Sequence, residues 1–243
     1  MNNIKIVCQE ESIYLNKELL PQPMSNYYPD WYKNINTVST DINKPILSKI
    51  SKNKTVKSCI SFLDIFNTGY YIPAPMDYYL SVDSNGQWSW KTPISYDNEN
   101  RSTVSIHDND QFVNHLPRQN NIKQVFKLNM PYYIIADKGI NVNMLPMPYS
   151  FNKDWHINYG VIKADIVHDI NIFLNYTSSN NEILIKQGTP LGIILPYKRN
   201  KNNLHISYIE EDKKSKDIIT KSKYNFWGKF NNQYFRTHQK RLG

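Results

Sequence analysis

Residues 160–197, GVIKADIVHDINIFLNYTSSNNEILIKQGTPLGIILPY, constrain the fold more than any other stretch of this chain. Alternating segments near 160–166, 170–176 and 182–186 each put apolar residues on every second position, which is the period of a half-buried strand. The third closes on a Lys186-Gln187-Gly188 turn, and the chain then enters a strongly apolar strand from Leu191 to Tyr197. Such a rhythm specifies architecture and says nothing about chemistry.

The rest of the chain reads the same way. Tyr78, Leu80 and Val82 alternate before a turn at Ser84-Asn85-Gly86, and Trp88 and Trp90 alternate after it; Asn-Gly is a strong hairpin signal because both residues tolerate positive φ. Strands resume at VFKLNM. PYYIIADKGINVNML then predicts a second hairpin that turns at Asp137-Lys138-Gly139, with Ile140, Val142 and Met144 on one face and Pro146 and Pro148 ending it. One internal helix is expected: Thr55 caps it, Val56, Cys59, Ile60, Leu63 and Phe66 share a face, and Gly69 supplies a left-handed stop. Aromatics are 13% of residues, against 8 Gly and three Ala (Ala74, Ala136, Ala164), a balance that favours pleated surfaces over helix packing. The Tyr and Trp residues around 70–90 and 131–149, near Pro75, Pro131, Pro146 and Pro148, are read as filling a glycine-poor β core.

Three segments follow. Residues 1–54 form an N-terminal arm or wrapping segment, irregular because Pro21, Pro23 and Pro29 deny helix and central strand alike; Tyr27, Tyr28, Trp31 and Tyr32 form an aromatic knot packing on the body. Residues 55–198 form a β-rich core. Residues 199–243 form a basic aromatic tail, expected to be helical. From Lys198 onward there are 12 Lys/Arg against 4 Asp/Glu, which accounts for the whole net charge of +8. Lys213, Lys214, Lys216, Lys221, Lys223, Lys229, Arg236, Lys240 and Arg241 are the candidate binding residues. They suit the phosphates of a nucleic acid or an acidic protein surface, and nothing in the segment chooses between the two. Phe226 and Trp227, Phe230 and Tyr234 recur at helical spacing and are read as a stripe that docks this helix on the body.

Catalytic signatures are absent: the sequence holds no GxSxG, P-loop, GxGxxG or HExxH. His107, Asp108, Asp110 and His115 cluster within nine residues, but no HxD or HxE pair exists to build the usual facial set of iron ligands. His168-Asp169 with His156 is a second acid/base candidate, placed at strand edges. Cys8 and Cys59 stand far apart in apolar settings without metal-binding spacing, and are read as buried free thiols. No cofactor and no metal are expected. The N-terminus lacks a signal-peptide pattern, and no run approaches the roughly 18 apolar residues of a membrane span. The expected setting is therefore soluble and intracellular, or within a particle assembled inside a cell, without secretion and without a membrane partner.

GVIKADIVHDINIFLNY followed by EILIKQGTPLGIILPYKR resembles the final strands of the β-clip fold shared by dUTPase and dCTP deaminase, in which a GxID strand precedes an xIxxGxxIxQ strand. The resemblance implies a mainly β, antiparallel barrel or sandwich with one short internal helix and a C-terminal basic helix. It also implies a degenerate pocket. The water-orienting aspartate of that family falls on Lys163, its sugar-stacking tyrosine on Ile166 and the glutamine of its last motif on Ile193, with Asp165 nearby as a lone, solvated carboxylate. No Pro-Arg-Ser phosphate-binding motif appears upstream, and a lysine-rich tail stands where that family has a glycine-rich lid.

A second resemblance spans most of the chain. KTVKSCISFLDIFNTGYYIPAPMDYYL, Trp88 and Trp90, the His107 region, FKLNMPYYIIADKGINVNML, GVIKADI, IKQGTPLGIILPYKR and the basic aromatic tail are together similar to a family of proteins encoded by large tailed phages, notably marine cyanophages. That implies a phage setting, with the host cytoplasm or a virion as the expected location, and leaves the molecular role open. The leading expectation is a noncatalytic binding or structural protein, virion-associated or host-interacting, with a protein partner and, as in β-clip relatives, a homo-oligomeric state. The alternatives are a nucleotide-binding or nucleotide-hydrolysing enzyme related to dUTPase, and a nucleic-acid-binding protein acting through the tail.

Overall fold

The structure, a computed structural model, describes residues 4–8, 16–37, 55–95, 102–107, 111, 121–199 and 212–228. The strands all belong to one compact unit, and the C-terminal helix to a second.

The longest strand organises the first unit. β7 (Gln124–Ala136) buries Phe126, Leu128, Met130, Tyr132 and Ile134 on one face. It pairs antiparallel with β11 (Asp169–Tyr176), which in turn carries the short β9 (Trp155–Ile157). On its other edge two strands lie end to end: β6 (Val104–His107) along residues 125–128, then β1 (Ile4–Cys8) along residues 132–136. Pro131 stands inside this 13-residue strand, where a missing N–H would ordinarily break the ladder. It is tolerated because it falls where β6 gives way to β1 and where the β11 register shifts between Asp169 and Asn171.

A second sheet runs in the order β10 (Gly160–Ile162), β8 (Ile140–Pro146), β13 (Pro190–Lys198), β3 (Tyr70–Pro73) and β2 (Gln22–Pro23), and a third in the order β12 (Glu182–Ile185), β4 (Tyr78–Val82) and β5 (Trp88–Lys91). All pairings are antiparallel, so the expected mainly β, antiparallel architecture is present.

The main core brings together β7, β11, β4, β12 and one face of β8 and β13. Its buried apolar side chains, each contributing on the order of 1.5–3 kcal/mol, are the main source of stability. A second cluster packs on the other face of β13: Met24, Tyr32, Phe62, Phe66, Met147 and Ile193. β13 is thus buried on both faces. That explains the nearly continuous apolar run Leu191 to Leu195 in place of alternation.

Several expectations change. The turn at Asp137-Lys138-Gly139 forms, with Gly139 at φ +87° and the Ile140 N–H bonded to the Asp137 carbonyl at 3.2 Å. The strands on either side of it do not pair, because the end of β7 is already taken. β1 occupies one edge, and on the other the N–H groups of Ile134 and Ala136 donate to the carbonyls of His168 and Ala164. The turn therefore carries the chain from one sheet to the next.

Residues 1–54 are not uniformly irregular. β1 and β2 pair with the body, and helix α1 (Asp30–Asn34) starts behind Pro29, a position where a missing N–H costs nothing. The predicted internal helix divides into a 3-10 turn (Val56–Ser58) and α2 (Ile60–Phe66). The tighter turn shifts the helical phase, so Phe62 and Phe66 are buried while Cys59 is exposed. Thr55 caps the 3-10 turn by accepting the Lys57 N–H. Gly69 holds φ +80°, and a Cβ there would lie 2.5 Å from the Ile194 carbonyl oxygen, so both the conformation and the close approach to β13 require glycine.

In the second unit, α3 (Lys213–Gly228) begins at a reciprocal cap: the Ser215 N–H donates to Asp212 Oδ1 at 2.7 Å, and the Asp212 N–H to Ser215 Oγ at 3.0 Å.

Candidate functional site

Three of the four degenerate-pocket positions sit in the turn between β10 and β11. The N–H groups of Ile166 and Val167 both donate to the Lys163 carbonyl at 2.8 Å, which closes the turn and turns Lys163 and Ile166 outward; Ile166 is 64% exposed. Ile193 is not with them. It lies on β13 in the second apolar cluster, 5% exposed, where a glutamine amide would have to find buried partners.

Asp165 is neither lone nor solvated. Its side chain is 7% exposed, and Arg199 grips it with two bonds, Nη2 to Oδ2 at 2.8 Å and Nη1 to Oδ1 at 3.2 Å. The Gly139 N–H adds a third bond to Oδ2 at 2.8 Å. Arg199 also donates from Nη1 to Asn141 Oδ1 at 2.8 Å and from its backbone N–H to the Gly139 carbonyl at 2.7 Å, while Asn141 Nδ2 donates to the Tyr197 hydroxyl at 2.9 Å. The carboxylate and Arg199 together thus fasten the β7–β8 turn, the start of β8, the β10–β11 turn and the end of β13. Hydrogen bonding from Gly139, and then from Arg199, holds its carboxyl below the usual aspartate range. Arg199 carries half of this clasp, and sequence reasoning counted it only as a tail cation. Its partner is 34 residues away, beyond any local signal.

The histidine candidates do not converge. His156 stands on β9 beside the end of β11, where Asn175 Nδ2 donates to its Nε2 at 3.0 Å and to Asn158 Oδ1 at 2.6 Å. Burial lowers the pKa of this imidazole. His168 stands just ahead of β11, at the strand's other end, its Nδ1 donating to the Ile134 carbonyl at 3.0 Å. His107 bonds through Nδ1 to the Gln111 side chain. Asp108, Asp110 and His115 lie outside the described residues, among which no group of three His, Cys, Asp or Glu is placed to hold a metal.

An unforeseen feature lies over the second apolar cluster. Between β8 and β9, Tyr149 and Phe151 hold φ of +55° and +50°, a left-handed conformation that costs a non-glycine residue roughly 1–2 kcal/mol. Trp31 completes the group. Its indole Nε1 donates to the Tyr149 carbonyl at 3.1 Å, and its ring lies 5.5 Å from that of Phe151 and 6.3 Å from that of Tyr149. Phe62 supports Tyr149 from below at 4.3 Å. Phe151 is 70% exposed, and the loop is tied down where Asn152 Oδ1 accepts the Asp154 N–H at 2.9 Å. With the rings of Tyr149 and Phe151 6.4 Å apart, the three side chains form one aromatic cluster, here called the aromatic knob.

Backbone strain of this kind clusters at functional sites, and here it coincides with the 70% exposed ring of Phe151. Replacing Phe151 with glycine is expected to raise stability by about 1 kcal/mol, since glycine adopts this φ freely, while removing the protruding ring. A denaturant titration that shows Phe151→Gly to be destabilised by more than that would identify the ring as structural.

The aromatic knot of Tyr27, Tyr28, Trp31 and Tyr32 packs on the body as expected, Tyr32 stacking on Phe62 at 5.0 Å. Of the tail candidates, Lys213, Lys214 and Lys216 are exposed on the first turns of α3. Lys221 and Lys223 occupy its later turns, and Lys229, Arg236, Lys240 and Arg241 lie outside the described residues. Among the described residues, no helix is long and apolar enough to cross a membrane.

No family model matches the chain, and no curated protein matches it. Among solved structures it is similar to a point mutant of the dUTPase of Staphylococcus bacteriophage 80alpha, at 9% identity and a TM-score of 0.35, over 60% of this chain and 86% of that one.

Proposed function

We propose that this is a noncatalytic binding protein of a phage, a virion-associated or host-interacting component that engages a protein partner through the aromatic knob of Trp31, Tyr149 and Phe151. The clasp on Asp165 is the observation that carries the noncatalytic part. Hydrolysis of the dUTPase type needs a carboxylate free to orient and deprotonate water. Here the one acid in the β10–β11 turn accepts three N–H bonds and is held low in pKa, which makes it a poor base. Lys163 beside it carries no carboxylate with which to orient a water.

The binding part rests on the strained display of Tyr149 and Phe151. Exposed, rigid aromatics are the residues that anchor protein interfaces, filling an apolar socket on the partner. The phage setting rests on the order and spacing of the sequence motifs.

Incubation of the purified protein with dUTP, dCTP and related nucleotides tests the catalytic half. The expected result is a flat thermal-shift panel and no release of pyrophosphate or ammonia. A nucleotide at 100 times its Kd would add about 2.7 kcal/mol and be plainly visible. Turnover that disappears in Asp165→Asn would replace this reading with that of an enzyme of nucleotide metabolism.

A further inference from the structure

We propose that Trp31 is a latch that sets the aromatic knob, so that docking of α1 displays Tyr149 and Phe151 and release of α1 lets them fall back. The inference rests on the reading of the knob as a binding site and names what controls that site. Left-handed φ is not a resting state for tyrosine or phenylalanine. Relaxation to negative φ is downhill at each residue, so a contact in the fold must oppose it. Both ends of the loop are fixed: Met147 is buried in the second apolar cluster, and Asn152 Oδ1 accepts the Asp154 N–H at 2.9 Å. Between them the Tyr149 carbonyl accepts the Trp31 indole N–H at 3.1 Å, a bond between residues 118 apart in sequence. The Trp31 ring also lies against the rings of both strained residues. Holding that carbonyl fixes the peptide plane that follows Tyr149, and the strain there is of the same order as the stabilisation one such bond supplies.

The latch is itself conditional. α1 has five residues, too few to stay helical on its own, so its position depends on what holds it from outside. Tyr32 stacks on Phe62 at 5.0 Å and on Phe66 at 5.9 Å. At the C-terminal end of α1, Lys57 Nζ donates to the carbonyls of Lys33 and Ile35, each at 3.1 Å. Docked α1 therefore imposes the loop conformation. Coupling of this kind is reciprocal, so a partner that grips Phe151 in its displayed position tightens α1 in turn. The N-terminal segment then acts as a switch on the knob.

The test is NMR on the full-length protein without any partner. Positive φ brings a residue's amide and α protons close together, so Tyr149 and Phe151 are expected to show strong intraresidue NOEs between them, as residues at negative φ do not. Trp31→Phe keeps an aromatic ring in the cluster and removes the indole N–H. The Tyr149 NOE is expected to weaken to the level of its neighbours, while the amide resonances of β7 and β11 stay in place. A strong NOE that persists in Trp31→Phe overturns the proposal whether or not Tm falls, and would leave Trp31 as packing alone. Lys57→Met removes two bonds to α1 and leaves those of the loop in place, and it is expected to speed amide exchange in α1 and weaken the same NOE. Faster exchange in α1 with an unchanged Tyr149 NOE also overturns it. A knob that binds no partner would contradict the proposed function and leave these outcomes as they are.

Discussion

Phe62→Ala is expected to lower the stability of the first unit by about 3–5 kcal/mol, a drop in Tm on the order of 10 °C. Phe62 is 3% exposed and lies at the centre of the second apolar cluster. Its ring stacks on Tyr32 at 5.0 Å, meets Phe66 at 5.1 Å and Trp31 at 5.6 Å, and supports Tyr149 at 4.3 Å. Removing it leaves a cavity that four aromatic rings cannot collapse to fill, since they are held by α1, by α2 and by the β8–β9 loop. The loss should also reach the aromatic knob. Tyr149 is held left-handed only because its surroundings impose that conformation, and without Phe62 the loop is expected to relax to negative φ. Calorimetry checks the first effect; binding to whatever partner Phe151 engages checks the second. A Phe62→Ala protein with near-parental Tm would mean that this cluster is not a packed core.

Asp165→Ala is expected to be the most damaging single substitution at the β10–β11 turn. It leaves the Arg199 guanidinium, 35% exposed, without its two carboxylate bonds, and leaves the Gly139 N–H without an acceptor. Removing one member of a half-buried pair leaves the other charge without its compensation. The effect also depends on pH. The folded-state pKa of Asp165 is below its unfolded value, so the stabilisation is fully present above the ordinary aspartate range and is lost as pH falls through that range toward the folded pKa. The stability difference between the parent and Asp165→Asn should therefore be constant near neutrality and shrink in acid. A difference that grew in acid would reverse the assignment.

Local backbone chemistry was readable from the residues. Gly86 and Gly188 take φ of +79° and +80° in the two turns their sequences announce, and Thr55 caps where a capping residue was expected. The alternation of β4, β11 and β12 likewise matches their buried positions. What could not be read are facts set at long range. Pro131 argues for a break in β7, and only the change of neighbour from β6 to β1 makes it harmless. The Asp137-Lys138-Gly139 turn carries the local signals of a hairpin, yet its strands enter different sheets because both edges of β7 are occupied. Phe62 was missed because a 3-10 turn, which the residue pattern does not distinguish from an α-turn, rotated the face of α2.

The candidate site follows the same division. The sequence places Lys163 where the β-clip family it resembles carries an acid, and that much is legible from the residues. The engagement of Asp165 could not, because Arg199 comes from the end of β13 and Gly139 from another turn. The knob on Tyr149 and Phe151 left no trace either, since nothing in a Pro-Tyr-Ser-Phe-Asn run requires left-handed aromatics.

Titration of the Asp165 carboxyl carbon by NMR is the most direct test of whether this acid is a fastening or a base. A pKa below that of a free aspartate, moving back toward the ordinary value in Arg199→Gln, is the predicted result. A pKa raised toward neutrality would contradict it, because only a carboxylate released from its donors and kept from water could titrate there.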